Sequence, residues 1–197
     1  MTLLSATLLL FLVMDPIGNV PVFISTIGHY DKRKQQKIII RESLIALAVL
    51  IFFLFAGRAF LSIFQLSEPA LSIAGGIILF IIALKLIFQS SESIFDRRNE
   101  GGEPLVVPLA IPYIAGPSAI ATVMLLSSRE PSRWLEWLIA VTIAGVASGL
   151  ILLMSGTLSK LLGNKGLSAV ERLVGLLLTA VAIQMLLQGI RQFVKSM

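Results

Sequence analysis

Long stretches without a charged residue run through this chain and limit it to a membrane fold. Residues 1–30 carry only one charge, that of Asp15. The stretches with no charge at all are 44–57, 59–67, 69–84, 104–128, 137–159 and 173–190. A helix needs about 20 apolar residues to cross a bilayer core about 30 Å thick. The runs are continuous and not alternating, so they favour helices over membrane β-strands.

Six transmembrane helices account for these stretches: 3–27, 40–64, 70–90, 105–127, 135–158 and 170–191. We therefore predict an all-α integral membrane protein with a single transmembrane domain over residues 1–197. The polar linker at 91–104 is too short to build a soluble core. The N-terminal stretch lacks a basic n-region and a small-residue cleavage site, so we interpret it as the first span and not as a signal peptide.

Basic residues flank the predicted spans unevenly. The side shared by the first, third and fifth linkers carries Lys32, Arg33, Lys34, Lys37, Arg41, Arg97, Arg98, Lys160, Lys165 and Arg172. The other side carries Arg58, Arg129, Arg133, Arg191 and Lys195. The positive-inside rule places the richer side in the cytoplasm. We therefore predict a cytoplasmic linker at 91–104 and periplasmic termini in a bacterial inner membrane. Trp134 and Trp137 are predicted to anchor the fifth span at the interface.

Several classes of function are excluded by composition. The chain has no cysteine, which excludes disulfides and thiolate metal sites. The sequence also contains no Ser/His/Asp arrangement, metal-ligand cluster or Walker A loop. Topology explains the net charge of +5, so a nucleic-acid partner is not required. We expect no enzymatic activity, no cofactor and no metal site.

The two halves of the chain, about 1–90 and 105–197, resemble each other at a fixed offset. An offset of 101 places Asp15-Pro16-Ile17-Gly18 on Gly116-Pro117-Ser118-Ala119, and an offset of 99 places the third span on the sixth. The identical pairs in these spans are Ala70/Ala169, Gly76/Gly175, Leu79/Leu178, Ala83/Ala182 and Gln89/Gln188. A unit of three spans is odd, so the second copy enters the membrane inverted. We predict two inverted three-helix repeats.

Each half carries a helix-breaking motif at a similar depth. Proline removes a backbone donor, and it frees a carbonyl four residues earlier. At 1.5 Å per residue both motifs lie about 16–18 Å from the start of their spans, close to the middle of the core. We therefore predict that spans one and four are broken near the midplane and face each other there.

Such breaks expose amide donors at one helix end and carbonyl acceptors at the other, which suits the two ends of a zwitterionic amino acid. The predicted substrate-binding residues are Asp15, Pro16, Gly18, Asn19, Gly116, Pro117, Ser118 and Thr122. Asp15 is also the candidate for carrying a coupling proton, because burial favours the neutral form of a carboxylate. The alternative role for Asp15 is a cap for a half-helix that begins at Pro16. Its counterpart Gly116 carries no charge, so the two motifs are unlike.

The motifs DPIGNVPVF at 15–23 and PLAIPYIAGPSAI at 108–120 resemble those of the MarC family, also called the neutral amino acid transporter (NAAT) family. Both motifs are long and specific, and the whole chain fits the family in length and span number. The resemblance implies transport of glycine, alanine and other neutral amino acids, as described for some archaeal relatives. The MarC family is in turn similar to the wider group of LysE-type amino acid exporters, which use three-plus-three repeats.

The function predicted from these features is secondary transport of small neutral amino acids, inward or outward, with a proton or sodium as coupling ion. Two alternatives stay open. One is transport of another small solute or ion, and the other is a membrane interaction protein that does not transport. Gly75, Gly76 and Gly175 are predicted to be close helix contacts. Small-residue faces of this kind also permit a homodimer within the lipid.

Overall fold

The computed structural model describes residues 1–65, 67–88 and 114–196, and the regular elements in these ranges are all helical. The helices are α1 (Leu3–Met14), α2 (Asn19–Ile27), α3 (Lys32–Ile63), α4 (Glu68–Phe88), α5 (Pro117–Arg129), α6 (Trp134–Leu153) and α7 (Ser155–Ser196). A 3₁₀ turn at Pro131–Arg133 precedes α6.

Four segments in these ranges are long and apolar enough to cross a membrane: Lys32–Ile63, Glu68–Phe88, Pro131–Leu153 and Ser168–Lys195. They correspond to the predicted second, third, fifth and sixth spans, which confirms an all-helical protein built for a membrane. Large apolar side chains on their outer faces are exposed, among them Phe52, Ile63 and Leu176. An exposed apolar surface of this extent suits lipid and not water.

The first and fourth predicted spans are not among these four segments. The first, 3–27, is divided between α1 and α2, and α1 alone is a shorter apolar helix of 12 residues. Of the fourth, 105–127, the structure describes residues from 114 onward, and α5 begins at Pro117. The predicted linker at 91–104 lies outside the described residues.

Two of the predicted span boundaries were wrong. The second helix begins at Lys32 and not near residue 40, because Asp31 caps it by accepting a hydrogen bond from the Lys34 amide at 3.2 Å. The fifth ends at Leu153 and not at 158. Farther along, α7 is interrupted at Gly163, whose φ of 61° lies in the left-handed region that favours glycine.

Two glycines set the close, antiparallel packing of α4 on α7. A Cβ placed on Gly76 would lie 3.0 Å from the carbonyl oxygen of Ala182, and one placed on Gly175 would lie 3.0 Å from that of Ala83. Each glycine also approaches a side chain one turn farther along the facing helix: Leu186 for Gly76 and Ile87 for Gly175. The predicted helix contacts at Gly76 and Gly175 are therefore confirmed. The Ser72 hydroxyl adds a cross-link by donating to the Met185 carbonyl at 2.9 Å.

These two contacts are related by the offset of 99 found in the sequence. Subtracting 99 from Ala182 and Leu186 gives Ala83 and Ile87, which are two of the three residues that Gly175 meets. Some other helix pairs correspond in the same way, since α5 packs on α3 and α4 whereas α1 packs on α6 and α2 on α7. The packing of the described helices thus has the pairing expected from two exchanged halves.

One end of the molecule is held by polar contacts that bring the two ends of the chain together. The Met1 ammonium lies 3.2 Å from Glu130 Oε1, and the Arg129 guanidinium donates to Gln192 Oε1 at 3.1 Å. A hydrogen bond from Arg133, helped by the Met1 ammonium, lowers the pKa of Glu130. Trp137 is fully buried and its indole N–H donates to the Glu130 carbonyl at 3.0 Å. Its predicted role as an interface anchor was therefore wrong, whereas Trp134 is exposed.

Replacing Gly76 or Gly175 by alanine should lower the thermal unfolding midpoint of the purified protein, because each new methyl group meets a backbone oxygen. We expect a cost of about 1–3 kcal/mol for the overpacking. The control is Gly156→Ala in α7, where a Cβ meets nothing within 4 Å. That change should be neutral or slightly stabilising, since glycine in a helix is worse than alanine by about 0.5–1 kcal/mol. Equal midpoints for all three variants would contradict this packing.

Candidate functional site

The predicted interruption of the first span is present at residues 15–18. Helix α1 ends at Met14, and Asp15 adopts φ 44° and ψ 57°, the left-handed conformation. Asp and Asn are the side-chain-bearing residues that visit this conformation most readily. The chain then makes a tight turn through Pro16, Ile17 and Gly18 before α2 begins at Asn19. Pro16 has no N–H to continue α1, and the left-handed residue redirects the chain.

The Asp15 carboxylate caps this turn. Its Oδ1 accepts a hydrogen bond from the Gly18 amide at 3.1 Å, and the Asp15 carbonyl accepts one from the Asn19 amide at 3.1 Å. Asp15 therefore stabilises the turn before α2, although no side chain caps α2 itself. The expected start of the half-helix at Pro16 was wrong by three residues, because residues 16–18 form a turn and Gly18 is the N-cap.

Asn19 closes the break from the other side. Its Nδ2 donates to the Met14 carbonyl at 3.0 Å, which is one of the acceptors left free where α1 ends. Asp15 and Asn19 are each 8% exposed, and Pro16 and Gly18 are buried. The break is thus enclosed by protein, and its own side chains satisfy much of its backbone.

The second motif opens helix α5. Gly116 is the N-cap, with an extended backbone at ψ 164°, and Pro117 is the first helical residue. Ser118 is 1% exposed and Thr122 is 3% exposed, and the Thr122 hydroxyl donates to the Ser118 carbonyl at 2.8 Å. Gly116 is half-buried and Pro117 is exposed. Pro108 and Pro112 lie outside the described residues.

The two motifs belong to one packed region. Helix α1, which ends at the first motif, packs on α5, which begins at the second. Met14, Ala115 and Ala119 are part of the same buried core. Helix α6 also reaches the break, where the Ser148 hydroxyl lies 3.9 Å from the Met14 sulfur.

The helix ends at the two motifs differ in what they offer a ligand. Helix α1 presents its acceptor end and the Asp15 carboxylate, both suited to a cation or an ammonium group. Helix α5 presents its donor end, and no side chain caps its first turn. No side chain caps α2 either, but the Gly18 and Asn19 amides at its start already bond to Asp15, and the Val20 amide bonds to the Ile17 carbonyl. An anionic group would therefore find donors at α5 and not at α2.

Two buried carboxylates were not predicted from the sequence. Glu171 in α7 is 6% exposed. Glu42 in α3 is fully buried, 2.9 Å from the Arg41 guanidinium, so this pair is only partly at the surface. Both acidic residues lie in the first turns of predicted spans, where charge is ordinary. The signal that could have found Glu171 is its alignment, at the offset of 99, with Ser72 inside the third span.

Asn19→Ala should lower the thermal unfolding midpoint, because the buried Met14 carbonyl loses its donor. Leaving such a group without a partner costs about 1–3 kcal/mol. The matched control is Thr7→Ala, which removes a hydroxyl bonded to the Leu3 carbonyl within α1 and should have little effect. If Asn19→Ala and Thr7→Ala change the unfolding midpoint equally, the Asn19 amide does not stabilise the break.

Comparison with known proteins agrees with the resemblance seen in the motifs. The model of the MarC family integral membrane proteins matches residues 1–194. The UPF0056 inner membrane protein YhgN of Escherichia coli (strain K12) is 46% identical over 194 residues, which is 98% of each chain. A UPF0056 membrane protein of Buchnera aphidicola subsp. Baizongia pistaciae is 44% identical over 196 residues, 97% of each chain.

A more distant relative is a UPF0056 membrane protein of Chlamydia pneumoniae, 36% identical over 95% of this chain and 93% of its own length. No solved structure matches the chain. A family model that covers nearly every residue, together with relatives of the same length, decides the assignment. The chain belongs to the MarC family of integral membrane proteins.

Proposed function

We propose that this protein is a secondary transporter of small neutral amino acids in a bacterial inner membrane, with its site between the broken first span and the start of α5. The observation that carries the proposal is the enclosed break at Asp15–Gly18, which packs through α1 on the helix that begins at Gly116-Pro117. Non-helical backbone at membrane depth is tolerated where it is buried in protein or lines a cavity. Transporters use this arrangement to bind substrates.

The inverted repeat is the second part of the proposal. It is supported by the reciprocal contacts of Gly76 and Gly175, and by the matching sets of packed helices in the two halves. In such a repeat the first and fourth spans are equivalent and enter from opposite sides. Alternating access then follows from rocking one half against the other around a fixed site.

The chemistry of the two motifs favours a ligand with unlike ends. The amino acid's ammonium group would lie by Asp15 and the carbonyl end of α1, and its carboxylate by the uncapped first turn of α5 at Ser118. Gly116 has no side chain that would compete for this space. A small neutral side chain suits a site whose lining, at Ser118, Thr122 and Asn19, is polar and uncharged.

Counterflow of labelled alanine, glycine or serine in proteoliposomes tests the transport activity. We expect exchange by the wild type and about a 10- to 100-fold loss in Asp15→Asn, since hydrogen bonds to a charged group are worth about 1.5–3 kcal/mol. Pro117→Ala should also lose activity. Glu68→Gln, which removes a charge at the start of α4, is the control and should keep it.

Flux no higher than in empty liposomes for every neutral amino acid would overturn this function. A thermal-shift panel then separates the alternatives, because any ligand of the folded state raises its apparent stability. Stabilisation by another solute or ion would indicate a different cargo. The homodimer stays a prediction, and cross-linking in native membranes tests it.

Labelling of single cysteines tests the orientation, since the chain has none of its own. Ser132 lies beside the Met1–Glu130 end of the molecule, and Lys32 begins α3 at the turn after α2. Both are exposed. With periplasmic termini, a membrane-impermeant maleimide should label Ser132→Cys in intact spheroplasts and Lys32→Cys only after lysis. The reverse pattern would invert the topology.

A further inference from the structure

One line of side chains runs along helix α3 and changes from basic to apolar. Residues three or four positions apart lie on the same face of a helix. Successive steps of this size connect Arg33, Lys37, Arg41, Leu44, Ala48, Phe52 and Phe55. Every member of this line is exposed, and we call the first three residues the basic stripe and the last four the apolar stripe. One face of α3 thus joins positive charge at its start to a continuous apolar surface.

The length of α3 places the change from basic to apolar at the edge of the bilayer core. The 32 residues of Lys32–Ile63 extend about 48 Å at about 1.5 Å per residue, whereas the core is about 30 Å thick. Even at the average tilt of about 20°, the first turns of α3 have to lie outside the hydrocarbon. The apolar stripe then faces lipid chains. Arg41 and Lys37 lie within about 11 Å of Leu44 along the axis, at the level of the lipid headgroups.

The basic stripe carries more positive charge than its neighbours balance. Arg33 and Lys37 make no ion pair with a residue in the described part of the chain. Asp31 is occupied in capping α3. Glu42 lies 2.9 Å from the Arg41 guanidinium, but its side chain is fully buried and does not reach the surface. The exposed face therefore keeps an excess of positive charge.

Contacts in the turn between α2 and α3 fix the direction of this face. The Gln35 amide donates to the Tyr30 carbonyl at 2.8 Å and to the Gly28 carbonyl at 3.3 Å. The Lys34 ammonium lies 4.1 Å from the centre of the Tyr30 ring. Ile39, one turn beyond Gln35, is buried in the core. The turn and the core thus hold one side of the first turns of α3, and the basic stripe lies on the other side.

Neither the repeat nor the topology requires this arrangement. In the predicted repeat α6 is the counterpart of α3, and the sequence of α6, Trp134–Leu153, contains no lysine or arginine. The first turn of α6 carries Glu136 instead. The positive-inside rule depends on how many basic residues flank a span, and it does not require them to share one helix face. Their alignment with the apolar stripe therefore needs a separate explanation.

We propose that this face of α3 binds an anionic phospholipid, with the phosphate on the basic stripe and the acyl chains along the apolar stripe. Clusters of Lys and Arg just outside a span attract anionic lipids, and guanidinium groups form strong, charge-assisted hydrogen bonds with phosphate. A zwitterionic lipid carries a positive group beside its phosphate, which the excess positive charge disfavours. The site is independent of the proposed transport, since it contains no residue of either helix-breaking motif.

Native mass spectrometry of the purified full-length protein in an uncharged detergent measures the binding. Phosphatidylglycerol and phosphatidylcholine with identical acyl chains compete for the protein, so that the headgroup is the difference between them. Each basic residue near the surface contributes about fivefold to the binding of anionic lipid. We therefore expect phosphatidylglycerol to bind about 25-fold more tightly than phosphatidylcholine, and the double variant Arg33→Gln, Lys37→Gln to lose this preference.

Two control variants separate the basic stripe from charge in general and from folding. The double variant Arg191→Gln, Lys195→Gln removes two exposed charges near the end of α7 and should keep the preference. The exchange Arg33→Lys, Lys37→Arg preserves both charges and should also keep it. Equal binding of the two lipids by the wild type, or an equal loss in the α7 variant and the stripe variant, would overturn the proposal.

Thermal unfolding of the wild type gives a test that needs no variant. Phosphatidylglycerol should raise the unfolding midpoint, since a ligand of the folded state stabilises it, and high NaCl should remove the rise because salt screens exposed charges. Glycerol phosphate, which carries the phosphate without the chains, should neither raise the midpoint nor displace the lipid. A rise that is insensitive to salt, or displacement by glycerol phosphate, would contradict a site built from both stripes.

Discussion

Every backbone N–H and C=O group that enters hydrocarbon must find a partner within the protein, and the break in the first span depends on meeting this constraint. Pro16 ends the continuous helix, which leaves carbonyls of α1 and amides of α2 to be satisfied. Asp15 accepts from Gly18, and Asn19 donates to the Met14 carbonyl. Residues of the break itself thus supply these hydrogen-bond partners.

A second constraint is the absence of a hydrophobic driving force between helices in lipid, which leaves packing and hydrogen bonds to hold them together. Gly76 and Gly175 let α4 and α7 approach until backbone oxygens are in contact range. The hydroxyl groups of Ser72 and Ser127 then donate to carbonyls of neighbouring helices. Because the two glycine contacts are exchanged by the repeat offset, the same interface supports both halves alike.

The two halves of the chain differ in charge although their helix packing is similar. The halves share their helix pairings, yet the carboxylates of Asp15 and Glu171 have Gly116 and Ser72 as counterparts. In the proposed transporter, this one-sided charge would suit a substrate with unlike ends.

Much of the architecture was readable from local composition. Charge-free runs define the helices, and Pro16 and Pro117 mark where helices break or begin, because the polarity and backbone chemistry of a residue act at its own position. The start of α3 at Lys32 was not predicted, because a cap such as Asp31 extends a helix beyond its apolar run.

Only the tertiary structure decided which faces of the helices pack against each other. Glu171 and Trp137 lie near predicted span ends, where sequence alone suggests an interface. Packing buries Glu171, and it buries Trp137 under the Glu130 carbonyl. Side-chain burial depends on which face of a helix meets another helix, and close contacts such as those of Gly76 and Gly175 decide which faces meet. The sequence by itself determined a membrane protein with a carboxylate at a helix break, and only the fold decided which side chains near the span ends are buried.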